Sequence, residues 1–225
     1  MRILAILIAA ALGYFLGSVN FSIPVVKMML GKDIRTLGSK NAGLTNTYRC
    51  AGKKCAAMTL AGDLLKGVIA VALARWIGGM MSAGLTPDND THYIGYIAGF
   101  FAIIGHIFPI YYNFKGGKGV LVGVSTFLIV DPKVFVALLA IFIVILAITK
   151  YVSAASIMGS MFCPLATLLM SWFVEGNSFG RSFLYMLLSI PMAAMVIIMH
   201  RSNIQRLMTG TENKFSFKTS GTAKD

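Results

Sequence analysis

A polar segment running from Asp33 to Arg49 collects glycines, hydroxyls, amides and basic side chains in a chain that is otherwise mostly apolar. Glycines let backbone N–H groups converge on one point, a Ser or Asn can cap a following helix, and a helix N-terminus attracts anions. Arg35, Lys40 and Arg49 add positive charge there. The pattern favours a phosphate-binding loop. The alternative is an ordinary polar loop whose basic residues only follow the excess of Lys and Arg in cytosolic loops.

A second glycine-rich run reads FKGGKG from Phe114 to Gly119, after a histidine, His106, in an apolar stretch. Lysines flanked by glycines bring ammonium charge and backbone donors together, which suits phosphate. The run is not a nucleotide-binding P-loop, because Tyr112 stands where that motif needs its first glycine and Gly119 where it needs Ser or Thr. A tight turn with interfacial lysines is the alternative. We expect His106 to be a packed, hydrogen-bonded side chain rather than a ligand.

A third polar segment extends from His200 to Glu212 after the last apolar run. His200 and Asn203 are three residues apart, so they share one helix face with Leu207, and Arg206 lies one position off that face. A solvated basic helix end would explain the arginine but not the histidine, the asparagine or the carboxylate. We expect Glu212 to form a structural salt bridge with a cytosolic Arg or Lys.

Two smaller features lie inside apolar stretches. Asp63 and Lys66 are three residues apart, and we expect them to pair because an isolated charge within a membrane is costly. Ser153 and Ser156 follow the Lys150-Tyr151 pair at the start of another apolar run. Either hydroxyl could contact an anionic substrate, although serines in membrane helices more often serve helix packing.

The amino-acid composition indicates that these polar segments belong to a membrane protein. Hydrophobic residues make up 57% of the 225 residues and charged residues 12%, about half the roughly 25% usual in soluble domains. The chain is therefore predicted to be an integral membrane protein. Its net charge of +12 does not indicate a nucleic-acid partner, since the basic residues sit at segment ends rather than on one exposed face. The three cysteines suggest neither a disulfide framework nor a zinc site, and we expect no metal.

The apolar runs predict an all-α bundle of about seven transmembrane helices in a single membrane-embedded domain, residues 1–212, followed by a cytosolic tail, residues 213–225. The predicted spans are 3–26, 56–74, 93–112, 118–131, 134–149, 152–174 and 183–200. The 118–131 span is the weakest, since it reaches only about 21 Å against a hydrocarbon core of about 30 Å. The first run imitates a secretory signal, but we expect it to be retained, because its apolar character continues to Val26.

The distribution of Lys and Arg predicts an extracytosolic N-terminus and a cytosolic C-terminus. In that orientation 16 of the 20 basic residues lie on or near the cytosolic side. Those on the other side are Arg2, Arg75, Lys133 and Arg181. All three polar segments then face the cytosol.

Across almost its whole length the chain resembles the bacterial acyl-phosphate-dependent glycerol-3-phosphate acyltransferases, the PlsY family. The resemblance rests on the three polar segments in order, with Gly17-Ser18, the DLLKG run from Asp63 and the YVS run from Tyr151 between or before them. The chain departs from the family at Lys40, where Gly is common, and at Leu44, where Ala is common.

The resemblance implies transfer of a fatty acyl group from acyl phosphate to the sn-1 hydroxyl of glycerol-3-phosphate. The products are 1-acyl-glycerol-3-phosphate, or lysophosphatidic acid, and phosphate, in the first step of phospholipid synthesis. It also implies a multi-pass protein of the bacterial inner membrane with its active site facing the cytosol. Expected partners are the two substrates and membrane lipids, with no cofactor.

The resemblance and the three segments together give a set of candidate residues. The catalytic candidates are Lys118, His200 and Ser153. The substrate-binding candidates are Ser39, Asn41, Gly43, Asn46, Arg49, Arg35, Lys115, Gly116, Gly117, Gly119 and Asn203. The structural candidates are Glu212, Asp63 and Lys66.

Other classes of function fit less well. A membrane transporter of an organic phosphate would also need basic anion sites, but transporters place them near the bilayer midplane, often in repeated halves, and no repeat is evident. A soluble-type glycerol acyltransferase uses a His followed five residues later by Asp, whereas the residues at that spacing here are Ile97, Tyr111 and Gln205. A non-catalytic scaffold would leave the phosphate-binding motifs unexplained.

Overall fold

The computed structural model describes residues 2–82 and 90–215, and within those ranges the chain is helical with no strand. Its α-helices are α1 Arg2–Gly17, α2 Ser22–Leu30, α3 Leu44–Ser82, α4 His92–Ile107, α5 Val120–Val130, α6 Pro132–Thr149, α7 Val152–Leu169, α8 Phe179–Met199 and α9 Arg201–Met208. Short 3₁₀ turns cover Ile34–Thr36 and Ile110–Tyr112, and a π-helical turn, Met170–Val174, extends α7.

The predicted membrane bundle is confirmed. Six helical stretches are long and apolar enough to cross a bilayer, and the shorter apolar helix α5 lies among them. With its 11 residues, α5 is about 17 Å long, so the weakest predicted span is also the shortest helix that could contribute a crossing.

The first predicted span, 3–26, lies within one candidate membrane crossing, Arg2–Leu30, but the helix of that crossing is broken between α1 and α2. Polar groups from other elements satisfy the backbone at the break. Lys66 Nζ donates to the carbonyl of Val19 at 2.8 Å, and the N–H of Phe21 donates to Asp63 Oδ1 at 3.3 Å. Non-helical backbone within a membrane is tolerated only where protein or water supplies such partners.

Helix α3 begins at Leu44 and contains the predicted second span, 56–74, so the helix starts before the span. The helix is interrupted at Gly52, whose φ of 80° and ψ of −179° lie outside the helical region. Glycine takes a positive φ with little strain because it has no Cβ. The part of α3 before this kink belongs to the polar end of the molecule, and the longer part after it supplies the span.

Small residues allow α1 and α4 to pack closely in the core. A Cβ at Gly13 would lie 2.3 Å from the carbonyl oxygen of Ala98, and one at Gly17 would lie 2.3 Å from that of Ala102. From the other side, a Cβ at Gly105 would lie 2.2 Å from the carbonyl oxygen of Tyr14. Close backbone approach at small residues is the usual way in which membrane helices gain packing energy.

Helices α3 and α5 pack on this pair, α8 packs on α4 and α7, and α6 packs on α5 and α7. Because neighbouring spans run in opposite directions, the starts of α3, α5 and α7 meet the ends of α4, α6 and α8 at one end of the bundle. The three polar segments therefore lie at the same end. The predicted tail, 213–225, is described only to Phe215, whose N–H donates to the carbonyl of Lys150 at 2.7 Å, and residues 216–225 lie outside the described part.

Candidate active site

A cavity of about 340 Å³ opens at this polar end. The predicted site residues that line it are Ser39, Asn41, Gly43, Asn46, Arg49, Asp63, Lys118, Gly119, Ser153, His200, Asn203 and Glu212. The cavity also runs between helices, where its walls include Phe127, Leu138, Phe142, Cys163 and Met192. From Ser153 to Cys163 it follows α7 for about 15 Å. The site thus joins a charged mouth to an apolar extension.

The first loop, residues 37–43, is organised by the side chain of Asn46 in the first turn of α3. Its amide nitrogen donates to the carbonyls of Leu37 and Asn41, each at 3.0 Å. Its amide oxygen accepts from the N–H of Ser39 at 3.0 Å. Asn46 is 3% exposed, so its side chain shapes the loop that presents Ser39, Asn41 and Gly43 to the cavity.

A chain of polar contacts crosses the mouth of the cavity from the second loop to the C-terminal segment. Lys118 Nζ donates to Asn203 Oδ1, and Asn203 Nδ2 donates to Glu212 Oε1 at 3.0 Å. Arg206 Nε pairs with Glu212 Oε2 at 2.7 Å, which confirms the expected salt bridge of Glu212. The carboxylate therefore holds both Asn203 and Arg206 at the mouth.

The electrostatics of the mouth act on Lys118. Burial lowers the pKa of its ammonium to about 8, with further lowering by the positive charges of Arg206 and Arg49, while Glu212 opposes the shift. Desolvation disfavours the charged form, and nearby positive charge adds to that penalty. A bound dianionic phosphate would relieve both effects, so this mouth is suited to an anion.

His200 ends α8 at the cavity wall and is 3% exposed. Its Nδ1 donates to the carbonyl of Val196 at 2.7 Å, which leaves Nε2 as the unprotonated nitrogen of the neutral ring. Burial lowers the pKa of His200 to about 4, the hydrogen bond to Val196 opposes this, and the charge of Lys118 lowers it further. At neutral pH His200 therefore offers a hydrogen-bond acceptor.

Two further candidates, Ser153 and Arg49, line the cavity from different helices. The hydroxyl of Ser153, near the start of α7, is buried and has no hydrogen-bond partner among the described residues, so a ligand could satisfy it. Arg49 lines the cavity from α3, and its Nη2 donates to the carbonyl of Asn213 at 3.2 Å.

The remaining predicted site residues, Arg35, Lys115, Gly116, Gly117 and Lys66, do not line the cavity. Arg35 pairs with Asp33 at 2.7 Å and donates to the carbonyl of Tyr112 at 2.8 Å. Lys115 is exposed. Arg35 therefore ties the first polar segment to the second.

The backbone N–H groups of Gly116 and Gly117, which lie between Lys115 and Lys118, also form hydrogen bonds within the protein. Those of Gly116 and Gly117 donate to the carbonyls of Ile107 and His106, at 3.1 and 3.0 Å. The two glycines thus anchor the second loop on α4 rather than present N–H groups to the cavity.

Sequence reasoning did not identify several parts of the site. Asn213 and Arg206 line the mouth, and only their closeness to Glu212 hints at this. The apolar walls carry no signal, since residues such as Leu138 and Met192 have the same types as lipid-facing ones. Within residues 2–82 and 90–215 no group of three or more His, Cys, Asp or Glu side chains could hold a metal ion.

Known proteins share both the sequence and the fold. A family model described as glycerol-3-phosphate acyltransferase matches residues 7–210. The curated glycerol-3-phosphate acyltransferase of Clostridioides difficile is 38% identical to this chain, and the match covers 97% of this chain and 99% of the relative. The curated glycerol-3-phosphate acyltransferase of Halalkalibacterium halodurans is 43% identical, and the match covers 91% of this chain and 93% of the relative.

The solved structures agree. A crystal structure of PlsY, an integral membrane glycerol 3-phosphate acyltransferase, in its glycerol 3-phosphate form is 31% identical with a TM-score of 0.76, covering 94% of this chain and 96% of its own. A lysophosphatidic acid form of PlsY is 30% identical with a TM-score of 0.74, covering 94% and 95%. The family match over most of the sequence and the shared membrane fold show that the chain is a multi-pass membrane acyltransferase of the glycerol-3-phosphate acyltransferase family.

Proposed function

We propose that this acyltransferase moves a fatty acyl group from acyl phosphate to the sn-1 hydroxyl of glycerol-3-phosphate. The products are 1-acyl-glycerol-3-phosphate and inorganic phosphate, and the reaction is the first step of phospholipid synthesis. Relatives solved in a glycerol 3-phosphate form and a lysophosphatidic acid form support the acceptor and the product.

The shape of the cavity carries the proposal. Both substrates present a phosphate, and one also carries a fatty chain that must stay in an apolar environment. The mouth offers Arg49, Lys118 and the neutral His200, while the extension along α7 is lined by side chains such as Phe127 and Met192. One site can therefore hold two anionic groups beside each other while the chain remains among the helices.

Each residue at the mouth has a separate proposed role in the reaction. Lys118 would stabilise charge on the phosphate and carbonyl oxygens as the acceptor hydroxyl attacks, a preorganised electrostatic role. Ser153, with its unsatisfied hydroxyl, would donate to the acyl phosphate. Nε2 of His200 would accept a hydrogen bond from the acceptor and orient it. The leaving phosphate could take the hydroxyl proton, because the donor is a mixed anhydride with a good leaving group.

The same proposal places the protein in the bacterial inner membrane with the mouth facing the cytosol. Basic residues concentrate at the end of the bundle that holds the mouth, as expected for the cytosolic side. Glycerol-3-phosphate would reach the site from the cytosol and the acyl chain from within the bilayer.

The test is product analysis by mass spectrometry with purified protein and glycerol-3-phosphate. Acyl phosphate, acyl-CoA and acyl-carrier protein are supplied in separate reactions at matched concentration. We expect 1-acyl-glycerol-3-phosphate with acyl phosphate alone. Comparable turnover with acyl-CoA or acyl-carrier protein would refute the choice of donor, and no lysophosphatidic acid with any donor would refute the reaction.

A further inference from the structure

A cluster of buried charged and polar side chains lies beside the two loops, between α3, α4 and the break after α1. The side chains of Asp63, Lys66 and His106 are 1%, 3% and 5% exposed. Lys66 Nζ lies 2.8 Å from Asp63 Oδ1, 2.8 Å from the carbonyl oxygen of Val19 and 2.9 Å from His106 Nδ1. An ammonium has three N–H donors, so this geometry uses all of them and confirms the expected pairing of Asp63 with Lys66.

These contacts determine the state of the histidine. Because an ammonium can only donate, Nδ1 of His106 must be the acceptor, and the ring proton lies on Nε2. The Asp63–Lys66 pair thus holds the ring of His106 in one tautomer and one orientation, and the ring is packed and hydrogen-bonded as the sequence predicts.

The oriented ring supports the loop that carries Lys118. A Cβ at Gly117 would lie 2.2 Å from His106 Nε2 and 2.5 Å from the carbonyl oxygen of Ala42 in the first loop. The N–H of Gly117 also donates to the carbonyl of His106 at 3.0 Å. Gly117 is therefore packed between His106 and the first loop, and Lys118 follows it directly.

We propose that Asp63, Lys66 and His106 are positioning residues, which hold Gly117 and so place the ammonium of Lys118 at the reacting phosphate. The inference rests on the proposed function for the role of Lys118. A network that served only to neutralise buried charge could be replaced by apolar side chains of similar size with no loss of turnover, because such replacements are often neutral or stabilising. A positioning network cannot be replaced in this way.

The decisive comparison is the single variant Lys66→Met with the double variant Asp63→Leu/Lys66→Met. The single change leaves a buried carboxylate without its partner and should lower the melting temperature. The double change removes both charges, but it also removes the partners of the Val19 carbonyl and the Phe21 N–H, so it should recover part of the lost melting temperature. We expect kcat of the double variant to stay about 10²-fold below wild type, the size of loss that follows a displacement of about 1 Å in an active site. Recovery of kcat together with the melting temperature would overturn the proposal.

A second readout does not depend on turnover. Hydrogen–deuterium exchange over residues 114–119 should be faster in the double variant, because the ring of His106 no longer holds Gly117 and the hydrogen bonds of Gly116 and Gly117 to α4 open more often. Unchanged exchange would overturn the proposal even if kcat fell. If wild-type protein shows no turnover with acyl phosphate, the proposed function fails, while the exchange experiment still tests the network.

Tyr185→Phe provides the matched control. It removes a 2.7 Å hydrogen bond from Tyr185 to Asp90 at the opposite end of the bundle. We expect it to change the melting temperature and to leave both kcat and the exchange over residues 114–119 at wild-type values. A fall in kcat as large as that of the double variant would show that general loss of packing explains the effect and would overturn the proposal.

Discussion

At the scale of single residues, the charge of Lys118 makes the clearest prediction. Burial and neighbouring arginines lower the pKa of Lys118 to about 8, so the free enzyme loses this positive charge as the pH rises through 8. We expect kcat/KM to fall about tenfold per pH unit above that value, since kcat/KM reports the ionisation of the free enzyme. The corresponding alkaline fall in kcat should occur at higher pH than the fall in kcat/KM, because bound phosphate favours the charged form of Lys118.

Lys118→Arg is the control for this assignment. A guanidinium stays protonated throughout the range, so the alkaline limb should disappear even though the changed geometry lowers the rate at pH 7. An alkaline limb that stays near pH 8 in the arginine variant would assign the titration to another group.

His200 gives a second prediction at this scale. With a pKa lowered to about 4 it is a weak base at neutral pH, and we expect it to orient the acceptor. His200→Gln keeps a hydrogen-bonding group near the position of Nε2 and should retain more than about one hundredth of the wild-type rate, because a positioned base contributes about 10²- to 10⁴-fold. A pH dependence near 6–7 should persist, since the second pKa of a phosphate monoester is about 6.

The same variant could instead identify a base. A loss of 10³-fold or more in turnover, with unchanged substrate binding measured by calorimetry, exceeds what an orienting hydrogen bond supplies. That result would assign proton abstraction to His200 and remove the role proposed for the leaving phosphate.

At the scale of elements, the two arginines of the first polar segment should behave differently. Arg49 lies on α3 and lines the cavity, so Arg49→Ala should lose a charge-assisted phosphate contact of roughly 1.5–3 kcal/mol, or about 10- to 150-fold in kcat/KM for glycerol-3-phosphate. Arg35 ties the loop before α3 to the carbonyl of Tyr112. Arg35→Ala should mainly lower the melting temperature.

Steady-state kinetics and thermal unfolding of both variants, measured in the same detergent, separate these outcomes. A rise in KM for glycerol-3-phosphate in Arg35→Ala as large as that in Arg49→Ala, with an unchanged melting temperature, would show that Arg35 contacts substrate directly.

The elements also show how far sequence reasoning reaches. Long apolar runs predicted the spans, because bilayer thickness fixes their length. The break before α2 was missed because the run from Ile3 to Val26 is mostly apolar, although Ser18 and Asn20 lie at the break. The side chains that satisfy its backbone, Asp63 and Lys66, are more than 35 residues away. The early start of α3 was missed because Gly52, which resembles a loop residue, only kinks the helix.

At the scale of the whole molecule, the sequence predicted which segments meet but not how each residue is used. The three polar segments line one cavity, as the order of spans required. Arg35 and Lys118 were both candidates for the site, but Arg35 binds a backbone carbonyl while Lys118 lines the cavity. The residue type of a basic side chain does not distinguish these two uses. The apolar extension was hidden for a similar reason, since its walls have the same residue types as surfaces that face lipid.

The last prediction concerns the orientation of the whole bundle. The end that holds the cavity carries most of the basic residues, and Lys and Arg are enriched on the cytosolic side of membrane proteins. Single cysteines at Lys32 and Thr211, both exposed at that end, should therefore react with an impermeant maleimide only in inverted vesicles. A cysteine at Glu175, exposed at the opposite end, should react only in right-side-out vesicles.

The background for this experiment is a variant in which Cys50, Cys55 and Cys163 are replaced, with its turnover checked first. Thr91→Cys, at the start of α4, tests the span count together with Thr211→Cys. An odd number of crossings separates Thr91 from Thr211, since α4 to α8 contribute five spans if the short helix α5 crosses fully. Labelling of both positions from one side would show that α5 does not cross, and labelling of Lys32→Cys from the outside would place the cavity mouth away from the cytosolic supply of glycerol-3-phosphate.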